Sequence, residues 1–156
     1  MSSISTSIKF TFYGPPKPQQ RHRTTRKGGM RQYDPSVSQK ATFIEAVQEH
    51  RPEIPWDCPI AIKIECFQQR PKSHYGSRKG EPYLKADAPN LWSTKGRADW
   101  DNLGKLVCDA MNGIFYEDDG QIAVGLVIKR YSDVPRTIVT LKRLDPHDRR
   151  WIDFKE

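Results

Sequence analysis

The sequence predicts a single α+β domain, a small mixed β-sheet packed with two main helices in the order β-α-β-α-β-β. Three observations carry this expectation. Segments at 8–13, 60–67 and 121–131 alternate apolar and polar residues with the period of a half-buried strand, and 137–142 can pair with the last of them. Segments at 36–50 and 102–112 repeat apolar residues at helical spacing instead. The chain has 156 residues, enough to bury one core and too few for two. The domain is expected over 1–144, followed by a polar tail over 145–156.

The first strand places Ile8, Phe10 and Phe12 on one face and stops at Gly14-Pro15-Pro16, because proline cannot donate to a sheet ladder. From Lys17 to Lys40 run seven bases and one acid, Asp34. The arm holding Arg21, Arg23, Arg26, Lys27 and Arg31 suits phosphate binding or, equally in kind, a solvated loop. Ser36 or Ser38 is the expected cap of the first helix, with Ala41, Phe43, Ile44, Ala46 and Val47 as its buried stripe and Pro52 beyond its end. Ile60, Ile62, Ile64 and Cys66 then mark the inner face of the second strand.

Between 68 and 97 the periodicity disappears among prolines and glycines, and seven bases face two acids, Glu81 and Asp87. A loop of this length in a small domain is usually functional. Its candidate phosphate contacts are Lys72, Arg78, Lys79, Lys95 and Arg97. In the second helix Leu103, Leu106, Val107, Ala110 and Met111 form the apolar stripe, opposite Asn102, Lys105, Asp109 and Asn112. Asp101 is its expected N-cap and Asn112-Gly113 its stop. The third strand is expected to show Ile122, Val124, Leu126 and Ile128 on one face and to form a hairpin with the last strand. Trp151, Ile152 and Phe154 interrupt the polar tail, whose role the pattern leaves open.

Composition narrows the partners. The formal net charge of +7 suits a polyanion, as it does in ribosomal, membrane-surface and nuclease proteins. Cys58, Cys66 and Cys108 show no C-x-x-C pair, which predicts reduced thiols rather than a disulfide or zinc framework. No apolar run approaches the roughly 18 residues of a membrane span, so a soluble cytoplasmic protein is expected. His22, His50, His74 and His147 lack metal-ligand spacing. Trp92 and Trp100 suit base stacking or packing, and with Trp56 and Trp151 packing is the expectation.

Against this basic background, the stretch from Asp99 to Asp119 holds six acids and one base, Lys105. Side chains two apart in an extended segment share a face about 6.6 Å apart, so Asp99 and Asp101 can address one cation. If the chain returns past this point after the helix, Asp118 or Asp119 adds a carboxylate, and an all-oxygen site suits Mg²⁺ or Mn²⁺ rather than zinc. Lys105, one turn beyond Asp101, is placed to stabilise charge on a scissile phosphate. An isolated D-x-D is usually surface and an isolated D-D-G usually a turn. Their joint occurrence around one short helix points to metal-assisted phosphodiester hydrolysis. Asp109 is either a supporting carboxylate or helix surface.

The run D-W-D-N-L-x-K-x-x-x-D-A-M-N-G at 99–113, followed by D-D-G-Q-I at 118–122, resembles the RusA-type Holliday-junction resolvases. A weaker resemblance extends to Gly14-Pro15-Pro16, the basic arm through Tyr33, and Pro71-Lys72-Ser73-His74, so that it covers most of 8–144. Gly96-Arg97-Ala98 departs from the shorter basic run or Lys-Pro expected before the first Asp. The resemblance places the essential acids at Asp99, Asp101 and Asp119, with Asp118 a weaker candidate, and the important lysine at Lys105. It implies a Mg²⁺-dependent homodimer that nicks two strands of a four-way DNA junction symmetrically. Two other readings stand beside it: a less selective flap or branch nuclease, and a non-catalytic branched-DNA-binding accessory protein. An RNA-recognition module lacks its aromatic strand motif here.

Overall fold

A computed structural model describes residues 6–96 and 98–149, so that Arg97, Trp151, Ile152 and Phe154 lie outside the described residues. Two helices and one mixed four-stranded sheet form the body of the molecule, as the periodicities predict. The main strands are β1 (Ser7–Tyr13), β4 (Ile60–Gln69), β7 (Ile122–Ser132) and β8 (Arg136–Arg143), in the spatial order β1-β8-β4-β7. Two small hairpins stand outside the sheet. One joins β2 (Arg23–Thr25) to β3 (Arg31–Tyr33), and the other joins β5 (Tyr75–Arg78) to β6 (Glu81–Leu84).

The expected hairpin between the last two strands does not form. β4 lies between β7 and β8, parallel to the first and antiparallel to the second. Ile60, Ala61 and Ile62 of β4 are consecutively buried, the mark of a strand covered on both sides, and this takes β4 to the centre of the sheet. The 133–135 connection steps across one strand, about 10 Å, which three linking residues can span. Arg136 clasps it by donating to Ser132 Oγ and to the Val134 carbonyl, both at 2.9 Å.

β7 also differs from its apolar pattern. Ile60 pairs with Ile122 but Ala61 pairs with Val124, so Ala123 is an extra residue in a β-bulge. A one-residue offset moves every following side chain to the other face. Ile122 therefore packs against the core, and after the bulge Val127 does so opposite Ile64, while Gly125 is exposed and Leu126 is left 41% exposed.

Helix α1 (Val37–Val47) packs against β1, and α2 (Trp100–Met111) against β7 and α1. In α1 the buried stripe narrows to Phe43 and Val47 with Ile44 half-buried, and Ala41 and Ala46 face solvent. Phe43 meets Phe12 and Phe10 with ring centroids 5.1 and 6.0 Å apart. All five apolar residues expected in α2 are buried, and Gly104 joins them. A Cβ at Gly104 would stand 2.9 Å from Val127 Cγ2, so the missing side chain lets the helix approach the sheet. Phe115, Tyr116, Met111, Ile60, Ile64, Val139 and Leu141 complete the centre of the core. Among the described residues no helix is long and apolar enough to cross a membrane.

Candidate active site and nucleic-acid interface

The polar face of α2 carries Asp101, Lys105 and Asp109, four residues apart and therefore in line, each about 6 Å further along the axis. The helix begins one residue earlier than its expected cap, with Asp99 as N-cap in extended backbone (φ −75°, ψ 147°). The Asp99 carboxylate makes no capping hydrogen bond. Asp99, Asp101 and Lys105 are exposed. Lys129 of β7 fixes the approach to this turn, with Nζ donating to the Ala98 carbonyl at 3.0 Å and lying 4.5 Å from the centre of the Trp92 ring.

After α2, Gly113 adopts φ 75° and reverses the chain, its N–H donating to the Tyr116 carbonyl at 2.8 Å. A short 3₁₀ turn at Asp119–Gln121 follows, capped by Asp118. The Asp118 carboxylate accepts from the Gly120 N–H at 3.0 Å, and Gln121 Oε1 accepts from the Asp118 N–H at 2.8 Å. Gln121 Nε2 also donates to the carbonyls of Trp56 and Cys58 at 2.8 and 3.0 Å, which ties the turn to the segment entering β4. Asp118 is thus engaged in holding the turn, while Asp119 points elsewhere.

Asp119 meets Asp109. Burial pushes the Asp119 carboxyl above the ordinary carboxylate range, and the neighbouring charges of Asp109 and Asp118, with a hydrogen bond to Asp109, push it further the same way. The two acidic motifs are therefore brought together at the end of α2 distant from Asp99 and Asp101. Among the described residues no three acidic, histidine or cysteine side chains stand together as a ready metal-binding group. The donor set nevertheless fits a hard divalent cation. It offers carboxylate oxygens, and the mutual repulsion of Asp109 and Asp119 is the cost that a bound cation would offset.

Two residues outside the sequence-based candidates join this cluster. Lys40 of α1 bonds Asp34 at 2.6 Å and Asp109 at 3.4 Å, and all three side chains are largely buried. Burial of the Lys40 ammonium opposes its charge, but Asp34 and Asp109 outweigh this and raise its pKa. Asp34 is held down at about 2, first by Lys40 and against the effect of burial, then by the Ser36 N–H and Gln19. Charge counting places both residues in the basic arm without separating them from its solvated members, so nothing in the pattern singles them out.

The basic arm is built on these contacts. Gln19 Nε2 donates to Asp34 Oδ1 at 2.8 Å, the Ser36 N–H to the same oxygen at 2.8 Å, and the Gln20 N–H to Ser36 Oγ at 2.9 Å. Ser36, the expected helix cap, makes no capping bond because its hydroxyl closes the foot of the arm instead. The Gln19 N–H reaches the Asn102 carbonyl of α2 at 2.8 Å. Above this foot Arg21, Arg23, Arg26, Lys27 and Arg31 are all exposed, the turn being made at Gly28 and Gly29 with φ 77° and 108°.

The second basic segment is more ordered than its sequence predicts. Lys72 opens a 3₁₀ turn, and Arg78 and Lys79 occupy the tip of the β5–β6 hairpin, where Arg78 lies 5.5 Å from the centre of the Tyr83 ring. The chain returns along the β7 edge, the Trp92 N–H donating to the Lys129 carbonyl and the Tyr131 N–H to that of Asn90. Lys72, Arg78, Lys79 and Lys95 are exposed.

Trp56 and Trp92 pack, as expected, at 6% and 7% exposure. Trp100 does not: it is 63% exposed between Asp99 and Asp101 as the first residue of α2. Cys58, Cys66 and Cys108 are free, and burial pushes the Cys66 and Cys108 thiols up to about 12, which suits inert packing groups.

A model of the family described as Endodeoxyribonuclease RusA matches residues 13–142, from the end of β1 into β8. Uncharacterized protein YqaN of Bacillus subtilis (strain 168) is 35% identical over 140 residues, which cover 88% of this chain and 96% of that protein.

Proposed function

The chain belongs to the RusA endodeoxyribonuclease family, and from that premise we propose that it resolves four-way DNA junctions by paired symmetric nicks, with Mg²⁺ or Mn²⁺ as its ion. The observation that carries this reading is the meeting of Asp109 and Asp119, from two separate motifs, on the helix face that also bears Asp101 and Lys105. The acids proposed for metal binding are Asp99 and Asp101 at the start of α2 and Asp119 beside Asp109 about 12 Å further along it, two clusters rather than the ligands of a single ion. Asp118 is the weaker candidate because it caps its own turn, and Asp109 joins the set through its contact with Asp119. A hard divalent ion bound by such oxygens supplies an activated water and neutralises charge on the phosphate.

The residues of the chain have their own parts. Lys105, exposed between Asp101 and Asp109, stabilises the charge that gathers on the phosphoryl oxygens. Arg21, Arg23, Arg26, Lys27 and Arg31 on one hairpin, with Lys72, Arg78, Lys79, Lys95 and Arg97 in the second basic segment, hold phosphates of the junction arms. Such contacts fix position rather than sequence, so binding is selective for shape and falls steeply with salt. Trp100 offers an aromatic face to bases beside the acids. A homodimer gives the two symmetry-related active sites that two symmetric nicks require.

The Asp101→Asn variant tests the assignment. It is expected to bind a four-way junction as the parent does and to lose cleavage by at least about a hundredfold. Cleavage at the parental rate would contradict the role of Asp101.

A further inference from the structure

We infer that Lys40 is a positioning residue for the nuclease reaction, joining the foot of the basic arm to the Asp109–Asp119 pair. The inference rests on the functional reading above and adds to it a residue that belongs to neither acidic motif. Lys40 Nζ is shared by Asp34 at 2.6 Å and Asp109 at 3.4 Å. Asp34 belongs to the arm. Its Oδ1 accepts from Gln19 and from the Ser36 N–H, and Ser36 in turn receives the Gln20 N–H, so both strands of the arm end in one knot. Asp109 belongs to α2 and touches Asp119. One ammonium therefore links the element expected to hold DNA with the acids expected to cut it.

A second tie runs in parallel, from the Gln19 N–H to the Asn102 carbonyl beside Asp101. The arm is thus fixed to α2 near both ends of the helix, and Lys40 is the side-chain member of that fixing. Without its ammonium, Asp109 loses the contact that ties it to Asp34, and among the described residues no other side chain of the arm holds the Asp109 end of α2. The acids then leave the geometry in which they receive a phosphate held by the arm. Residues that orient a metal-binding or reacting group from behind typically contribute tenfold to a hundredfold in activity.

Lys40→Met retains most of the aliphatic stem and removes the charge; Lys40→Arg returns a charge and donors. Three readings are made on the full chain: single-turnover cleavage of a four-way junction at saturating protein with Mg²⁺, junction affinity in EDTA, and hydrogen exchange at the Gln20 and Ser36 amides. We expect Lys40→Met to slow cleavage about tenfold to a hundredfold, to change affinity by less than about threefold, and to speed exchange at both amides. Lys40→Arg should recover cleavage to within about threefold of the parent. Parental cleavage by Lys40→Met would overturn the inference. So would a loss that follows affinity or melting temperature alone and is not recovered by Lys40→Arg. A parent that cuts no branched DNA would remove the functional reading. The link itself is then decided by exchange, where unchanged Gln20 and Ser36 amides in Lys40→Met would overturn it.

Discussion

Asp34 shows how much a single side chain can do in this chain without advertising it. Its carboxylate holds Lys40, accepts from Gln19 and Ser36, and has its pKa lowered to about 2 chiefly by Lys40. A depressed carboxyl pKa means that the native state favours the ionised form. The stabilisation is therefore complete above the unfolded value of 3.8 and is lost as pH falls through about 2. Asp34→Asn should cost about 1–2 kcal/mol at pH 7, with parent and variant converging between roughly pH 4 and 2 in urea denaturation, because the ionic hydrogen bond is lost. An equal gap at all pH values would show that the charge is not what stabilises. Asp34 and Lys40 were invisible as a pair because their partner Asp109 lies far along the chain, and a charge count records signs without distances. Asp99, Asp101, Lys105 and Asp119 stand out in the sequence because fixed spacing around a helix and a turn is written locally. Trp100 went the other way. Its size and apolar ring suggested packing, and at the first turn of α2 it stands in solvent beside the acids.

At the scale of elements, α2 had the clearest sequence signal, since five apolar residues at helical spacing leave few other faces to bury. What that pattern omitted was Gly104, whose missing side chain sets the distance between α2 and β7. Gly104→Ala would meet Val127 Cγ2 at 2.9 Å, and a branched side chain in a packed layer has little room to withdraw. We expect this substitution to destabilise the protein by about 1–3 kcal/mol despite the better helix propensity of alanine, as read by the denaturation midpoint. A stabilised variant would show that the helix is not held so close. The β7 pattern misled for a definite reason: Ile122, Val124, Leu126 and Ile128 do alternate, but the bulge at Ala123 puts the first on the opposite face from the rest. A bulge is fixed by pairing with β4, which no pattern within β7 contains. The long segment after β4 likewise holds a hairpin because Lys79 and Gly80, at φ 51° and 79°, make its turn.

Over the whole molecule, the fold class and the number and order of the main elements followed from periodicity, whereas the sheet order did not. A short link between β7 and β8 reads as a hairpin, and only the greater burial of β4 inserts that strand between them. The same topology explains how the site is mounted. β7 holds the lead into α2 through Lys129, Gln121 holds the Asp118–Asp119 turn to the entrance of β4, and the knot at Asp34 holds the basic arm to both helices. The foot of the basic arm is thereby fixed beside Asp109, with the exposed bases of its hairpin above it. The most direct measurement is incubation of the purified protein with a labelled synthetic four-way junction, with and without Mg²⁺, beside the same arms as unbranched duplex. Paired symmetric nicks that need the ion and appear on the junction but not on duplex are the predicted result. Tight junction binding with no cleavage in Mg²⁺ or Mn²⁺, or equal cleavage of junction, flap and duplex, would contradict it.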